Sequence, residues 1–72
     1  MNRDATHYQI KSRLAAVGRT QMQLIAEMEK RGVYIPRPNH FSASLRKRQL
    51  TDLEANRLEL ADKIITEWEN EE

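Results

Sequence analysis

The chain has 72 residues, enough for one domain with a small core, so we expect compact helical packing or support from a partner. It contains no cysteine, which excludes a disulfide framework, a thiolate metal cluster and a cysteine nucleophile, and suits the reducing cytoplasm in which we expect it to act. The first ten residues are polar, unlike a signal peptide, and no apolar run is long enough for a membrane helix.

A first helix is predicted over residues 5–17. Three apolar side chains recur at helical spacing and share one face, namely Ile10, Leu14 and Val17. Asp4 or Thr6 can cap the start of this helix, and Gly18 suits the left-handed residue that ends many helices.

A second helix is predicted over residues 20–31. Thr20 and Gln23 have the spacing of a capping box, in which each side chain bonds the backbone of the other residue. The expected buried stripe consists of Leu24, Ile25 and Met28. Met22 is also interpreted as core filler, with a soft protein-binding patch as the alternative. Gly32 marks the end of the helix.

An extended connection is predicted after Gly32, because β-branched and aromatic residues are followed by Pro36 and Pro38. Ile35 and Val33 are its candidates for burial. No second segment offers a strand for it to pair with, so a sheet is not expected.

A short third helix is predicted over residues 39–47, entered through Pro38. Phe41 and Leu45 lie four residues apart and are expected to point inward, with Ser44 beside them. The other side chains of this helix are polar or small, so it contributes little to the core.

The last helix is predicted over residues 51–69, where Thr51 and Glu54 form a second capping box. Its apolar stripe is expected to contain Leu53, Leu60, Ile64 and Trp68, widened by Leu58, Ala61 and Ile65. The opposite face is acidic. We interpret its acid pairs, Glu59 with Asp62 and Glu67 with Glu71, as a solvated surface.

Charge is distributed unevenly along the chain, although the net charge is only +1. Residues 1–48 carry ten Lys or Arg and three Asp or Glu, whereas residues 49–72 carry two and eight. Such a split favours a nucleic-acid or other acidic partner for the basic half. The alternative is that both halves are simply solvated.

The basic residues concentrate around the third helix, whose outer face is predicted to present one surface. This surface consists of Asn39, His40, Ala43, Arg46 and Lys47. Asn and Arg can each bond a base edge in the DNA major groove with two hydrogen bonds, and Ala can contact a thymine methyl group. Arg37 and Arg48 flank the helix, where they are placed to contact phosphates. The alternative is a solvated helix with a basic C-terminal end.

Two short motifs resemble those of phage-repressor and Cro-type helix-turn-helix proteins. Residues 20–24, TQMQL, are similar to the TQxxL start of that family's second helix. Residues 41–46, FSASLR, are similar to the core of its recognition helix. The resemblance covers roughly residues 7–66 and implies an all-α, lambda-repressor-like domain of four helices. The chain departs from the family pattern at Ile25 and Glu29, and by a longer connection between the second and third helices.

The resemblance implies a small transcriptional regulator that binds duplex DNA with its third helix in the major groove. By this resemblance Gln21 contacts a phosphate, and bases are read by Asn39, His40, Ser42 and Ala43. From their charge and position, Arg46 and Lys47 are added to the base contacts. Arg19, Arg37 and Arg48 are added to the phosphate contacts.

Catalysis is not expected from this sequence. His7 and His40 lie on different elements, and neither a metalloprotease motif, a glycine-rich phosphate loop nor a nucleophile elbow is present. We therefore predict neither an enzyme nor a bound metal or cofactor, and no membrane partner.

A protein-binding module is the competing function. A domain of this kind can act as an antirepressor that binds a partner repressor protein, and the eight acids of residues 49–72 favour this alternative. A homodimer on a palindromic DNA site is typical of the family. Ile65 and Trp68 are the candidate residues for the interface between the two copies.

Overall fold

The computed structural model describes residues 4–71, and this part of the chain is all-α, as predicted. Its four α-helices are α1 (Ile10–Val17), α2 (Gln21–Lys30), α3 (Pro38–Ser44) and α4 (Asp52–Asn70). The long helix α4 packs against both α1 and α2, and the apolar side chains of these three helices form one core. Among the described helices, none combines the length and the apolar character that crossing a membrane requires.

The predicted first helix is in fact two elements. A 3-10 turn, Ala5–His7, is capped by the Asp4 carboxylate, which accepts from the His7 N–H at 3.1 Å. The chain then turns at Gln9, which has the left-handed φ of 49°, before α1 begins. This break directs both Tyr8 and Ile10 into the core. One continuous helix would not do so, since residues two positions apart differ by about 200° and face nearly opposite sides.

The ends of α1 and α2 follow the sequence signals. Gly18 has φ 70° and donates to the carbonyls at the end of α1. The capping box at α2 is complete, because Thr20 N–H donates to Gln23 Oε1 at 2.8 Å and Gln23 N–H donates to Thr20 Oγ1 at 3.2 Å. Gly32, with φ 94°, ends this helix.

The connection and α3 are anchored by few side chains. Ile35 is buried in the connection and Val33 is half-buried, as expected. In α3, Phe41 and Ser44 are buried while Leu45 is half-buried. The helix ends at Ser44 rather than at residue 47, and the Lys47 carbonyl instead accepts from the Ala5 N–H at 2.9 Å.

Two apolar side chains expected in the core are exposed. Leu53 is 59% exposed because the first turn of α4 meets α3 through Glu54 instead. Met22 is also 59% exposed, whereas Met28 is fully buried. The rest of the predicted α4 stripe holds: its fully buried residues are Leu58, Ala61, Ile64 and Ile65. Leu60 and Trp68 are half-buried against them.

Candidate nucleic-acid interface

Helix α3 presents most of the predicted base-reading surface to solvent. The predicted base contacts that are exposed on α3 and on the turn that follows it are Asn39, His40, Ala43, Arg46 and Lys47. Only Phe41 and Ser44 of α3 are buried, so the helix rests on a narrow inward edge. These side chains are exposed, as side chains that enter the major groove of DNA must be. Their role in reading bases stays a prediction.

Two of the predicted DNA contacts bond each other. The Gln21 amide donates from Nε2 to Ser42 Oγ at 2.6 Å, which joins the first turn of α2 to the middle of α3. Both side chains are half-buried. The bond sets the position of α3 relative to α2, and it leaves Ser42 less available for a base than its neighbour Ala43.

Lys47 is held by an acid of α4. Its Nζ lies 2.7 Å from Glu54 Oε2, and the Ser44 hydroxyl lies 3.0 Å from the same oxygen. The Glu54 Oε1 accepts from the Thr51 N–H at 3.0 Å, which completes the second capping box. Chiefly through the hydrogen bond from Lys47, and also through those from Thr51 and Ser44, the pKa of Glu54 is lowered to about 2. Lys47 is thus partly neutralised before any ligand arrives.

The acids of α4 that were interpreted as a solvated surface are largely exposed, and several of them also form ion pairs. Arg31 binds Glu67 with two hydrogen bonds, of 2.8 and 3.0 Å. Arg13 donates to Glu69 at 2.9 Å and also bonds Asp62. These arginines lie on α1 and beside the end of α2, so the opposite charges of the two halves of the chain partly neutralise each other within the fold.

Arg19, predicted to contact a phosphate, is directed to the end of α4. Its guanidinium lies over the Trp68 ring, 4.9 Å from the ring centroid, and 3.8 Å from Glu71. The side chain remains 40% exposed. Its contacts with α4 compete with the predicted phosphate contact.

The arginines of residues 4–71 therefore divide into two groups. Arg13 and Arg31 are paired with acids of α4, and Arg19 is paired with Glu71 directly after it. The remaining arginines form no ion pair within this part of the chain, namely Arg37, Arg46, Arg48 and Arg57. All four lie close to α3. Arg37 precedes this helix, Arg46 and Arg48 follow it, and Arg57 lines a groove beside it.

Arg57 was missed by the sequence analysis, although a signal for it exists. Positions 57, 61, 64 and 68 are spaced four, three and four residues apart, so Arg57 continues the inward stripe of α4. Position 54 continues the stripe through 58, 61 and 65 in the same way. A charged residue on an inward stripe indicates a polar contact, and here both Glu54 and Arg57 lie beside α3.

The predicted dimer interface, Ile65 and Trp68, needs a correction. Ile65 is fully buried in the core of one chain, so it is not available to a second copy. Trp68 is half-buried against the same core and carries Arg19 on its ring. Among the described residues, no cluster of three or more His, Asp or Glu side chains is arranged to hold a metal ion.

Comparison of the chain with known protein families, with curated proteins and with solved structures finds no match.

Proposed function

We propose that this chain binds duplex DNA through α3, as a small phage-type transcriptional regulator. The observation that carries the proposal is the distribution of unpaired arginine. Arg37, Arg46 and Arg48 are exposed, have no internal acid partner among residues 4–71, and flank one short exposed helix. Unpaired cations at the two ends of a helix can neutralise phosphates on both sides of a groove.

The internal ion pairs give the proposal further support. Phosphates repel acids, so a DNA-binding protein must keep its carboxylates away from the duplex or pair them. Asp62, Glu67 and Glu69 are paired with arginines of α1 and the end of α2, and Glu54 beside α3 is paired with Lys47. The side chains on α3 itself include no acid.

The alternative, an antirepressor that binds a repressor protein, loses part of its support. It was favoured by the acids of the last helix, and several of these are already paired within the chain. Exposed Met22 and Tyr34 are the features that still favour a protein partner, since exposed apolar side chains are common at protein interfaces.

Fluorescence anisotropy tests the proposal. The labelled duplex carries the intergenic region beside the gene for this chain, and an unrelated duplex of equal length is the control. Binding is measured at several salt concentrations. We expect preference for the intergenic duplex and a slope of log K against log salt of about −2 or steeper, because Arg37 and Arg48 each neutralise a phosphate. Equal binding to both duplexes, or no dependence on salt, would overturn the proposal and make a neighbouring repressor the next partner to test.

A further inference from the structure

A groove of about 260 Å³ lies between α3 and the start of α4. Its lining residues are His40, Ala43, Ser44, Lys47, Glu54 and Arg57. This volume is well above the ~10–15 Å³ that one water molecule needs, so the groove has room for a small polyatomic ion. The two cations of the lining, Lys47 and Arg57, outnumber its one carboxylate, Glu54, so these three residues carry a net positive charge.

Glu54, whose carboxylate lines the groove, already has ion-pair and hydrogen-bond partners within the chain. Glu54 Oε2 lies 2.7 Å from Lys47 Nζ and 3.0 Å from Ser44 Oγ, while Oε1 accepts from the Thr51 backbone. Lys47 and Glu54 together therefore present little net charge to a ligand. Arg57 lies three residues after Glu54 on the same helix but forms no ion pair with it.

Arg57 has a hydrogen-bond donor without a partner. Its Nε is buried and donates no hydrogen bond within the described part of the chain. A buried polar group without a partner is destabilising, and more so when it is charged. Arg57 as a whole is only half-buried, and it lines the groove. An oxyanion in the groove that accepts from the two terminal nitrogens of Arg57 would form a two-pronged, charge-assisted contact.

We propose that the groove between α3 and α4 is a phosphate-binding site in which Arg57 is the principal donor. The inference rests in part on the proposed function, because a phosphate of the DNA backbone is one source of the ligand. A free phosphate compound is the other source, and it presents the same tetrahedral oxyanion. Lys47 and Glu54 form one wall of the site, and the exposed His40 lies at the α3 side.

Nuclear magnetic resonance of the arginine Nε–Hε groups tests the site directly on the whole ¹⁵N-labelled chain. The Arg57 resonance is identified by its loss in Arg57→Gln. Inorganic phosphate is then added to the wild type, with sodium chloride of equal ionic strength as the control. We expect the Arg57 resonance to shift with phosphate and not with chloride. The matched variant Lys63→Gln removes an exposed cation elsewhere on α4 and should leave this shift unchanged.

The intergenic duplex supplies the second arm of the test. If the ligand is a backbone phosphate, the duplex also shifts the Arg57 resonance, and Arg57→Gln makes the salt slope of DNA binding less steep by about 1. Lys63→Gln should leave that slope unchanged. Arg57→Lys retains the charge but not the two-pronged geometry, so it should recover only part of the affinity.

The outcomes separate this inference from the proposed function. An Arg57 shift with phosphate in a chain that binds no DNA supports the groove, with a free phosphate compound as ligand, and removes the DNA function. Steep, sequence-preferring DNA binding with an Arg57 resonance that responds to neither duplex nor phosphate keeps the function and overturns the groove. Failure of both binding measurements overturns both.

Discussion

Lys47 Nζ lies 2.7 Å from Glu54 Oε2, and this ion pair joins the turn after α3 to the first turn of α4. Glu54 also accepts from the Thr51 N–H in the capping box of α4, and it is a partner of Ser44 in α3. One carboxylate thus forms the polar link between the exposed helix and the longest helix of the fold. Its position makes the orientation of α3 sensitive to the ionisation of a single group.

We expect the Glu54 contacts to be lost in acid. The pKa of Glu54 is lowered from its ordinary value of 4.5 to about 2, so its stabilisation is complete above pH 4.5 and disappears as the pH falls toward 2. The shift corresponds to at most about 3 kcal/mol, and to less after solvent screening, because Lys47 is 47% exposed.

Urea unfolding of the wild type and of Glu54→Gln at pH 7 and at pH 2 measures this contribution. The variant should be less stable at pH 7, and the difference should shrink at pH 2. Other carboxylates with a lowered pKa, Asp4, Glu67 and Glu69, titrate in both proteins and cancel in the comparison. Asp52→Asn removes an exposed acid from the same turn as a control. A difference that does not change with pH would contradict the assignment.

Arg46→Ala should weaken binding to the intergenic duplex and relax the preference at one base pair. A side chain that bonds a base with two hydrogen bonds contributes about 1–3 kcal/mol of discrimination. Lys63→Ala is the control for loss of one positive charge, since Lys63 is exposed on α4. Anisotropy on duplexes with single base-pair changes measures both effects. Unchanged affinity and unchanged preference would remove Arg46 from the base contacts.

Phe41→Ala should destabilise the domain by about 3–5 kcal/mol, because Phe41 is only 2% exposed and is the main apolar anchor of α3. Tyr34→Ala is the matched control, as this aromatic residue is 63% exposed and should change stability by less than about 0.5 kcal/mol. Thermal and urea unfolding provide the comparison. Equal losses in the two variants would mean that α3 is not docked through Phe41.

Leu58→Ala and Leu53→Ala compare two leucines of the same helix. Leu58 is fully buried and Leu53 is 59% exposed. Removal of the buried side chain should cost about 2–5 kcal/mol, whereas the exposed one should have little effect beyond helix propensity. Urea unfolding distinguishes the two cases, and a large loss from Leu53→Ala would restore it to the core stripe.

Local signals predicted α2 and α4 well, because a capping box and an apolar stripe are properties of neighbouring residues. Thr20 with Gln23 and Thr51 with Glu54 form the hydrogen bonds expected from their spacing. The N-terminal part of the first helix was predicted wrongly, since the left-handed residue at Gln9 has no such signal. Gln9 lies between Tyr8 and Ile10, which are both buried. Helical periodicity predicted that Leu53 is buried, and this was wrong. Periodicity carries no information on where a neighbouring helix ends.

The all-α class, the starts of α2 and α4, most of the core and the concentration of basic residues around α3 follow from local sequence patterns. Which of those basic residues are unpaired depends on how the helices pack. Arg13 and Arg31 reach acids 49 and 36 residues away along the chain, whereas Arg37, Arg46 and Arg48 have no acid partner among residues 4–71. An ion pair depends on a separation of a few ångström in space. Composition therefore predicts how much charge a chain carries, and packing decides which charges remain for a partner.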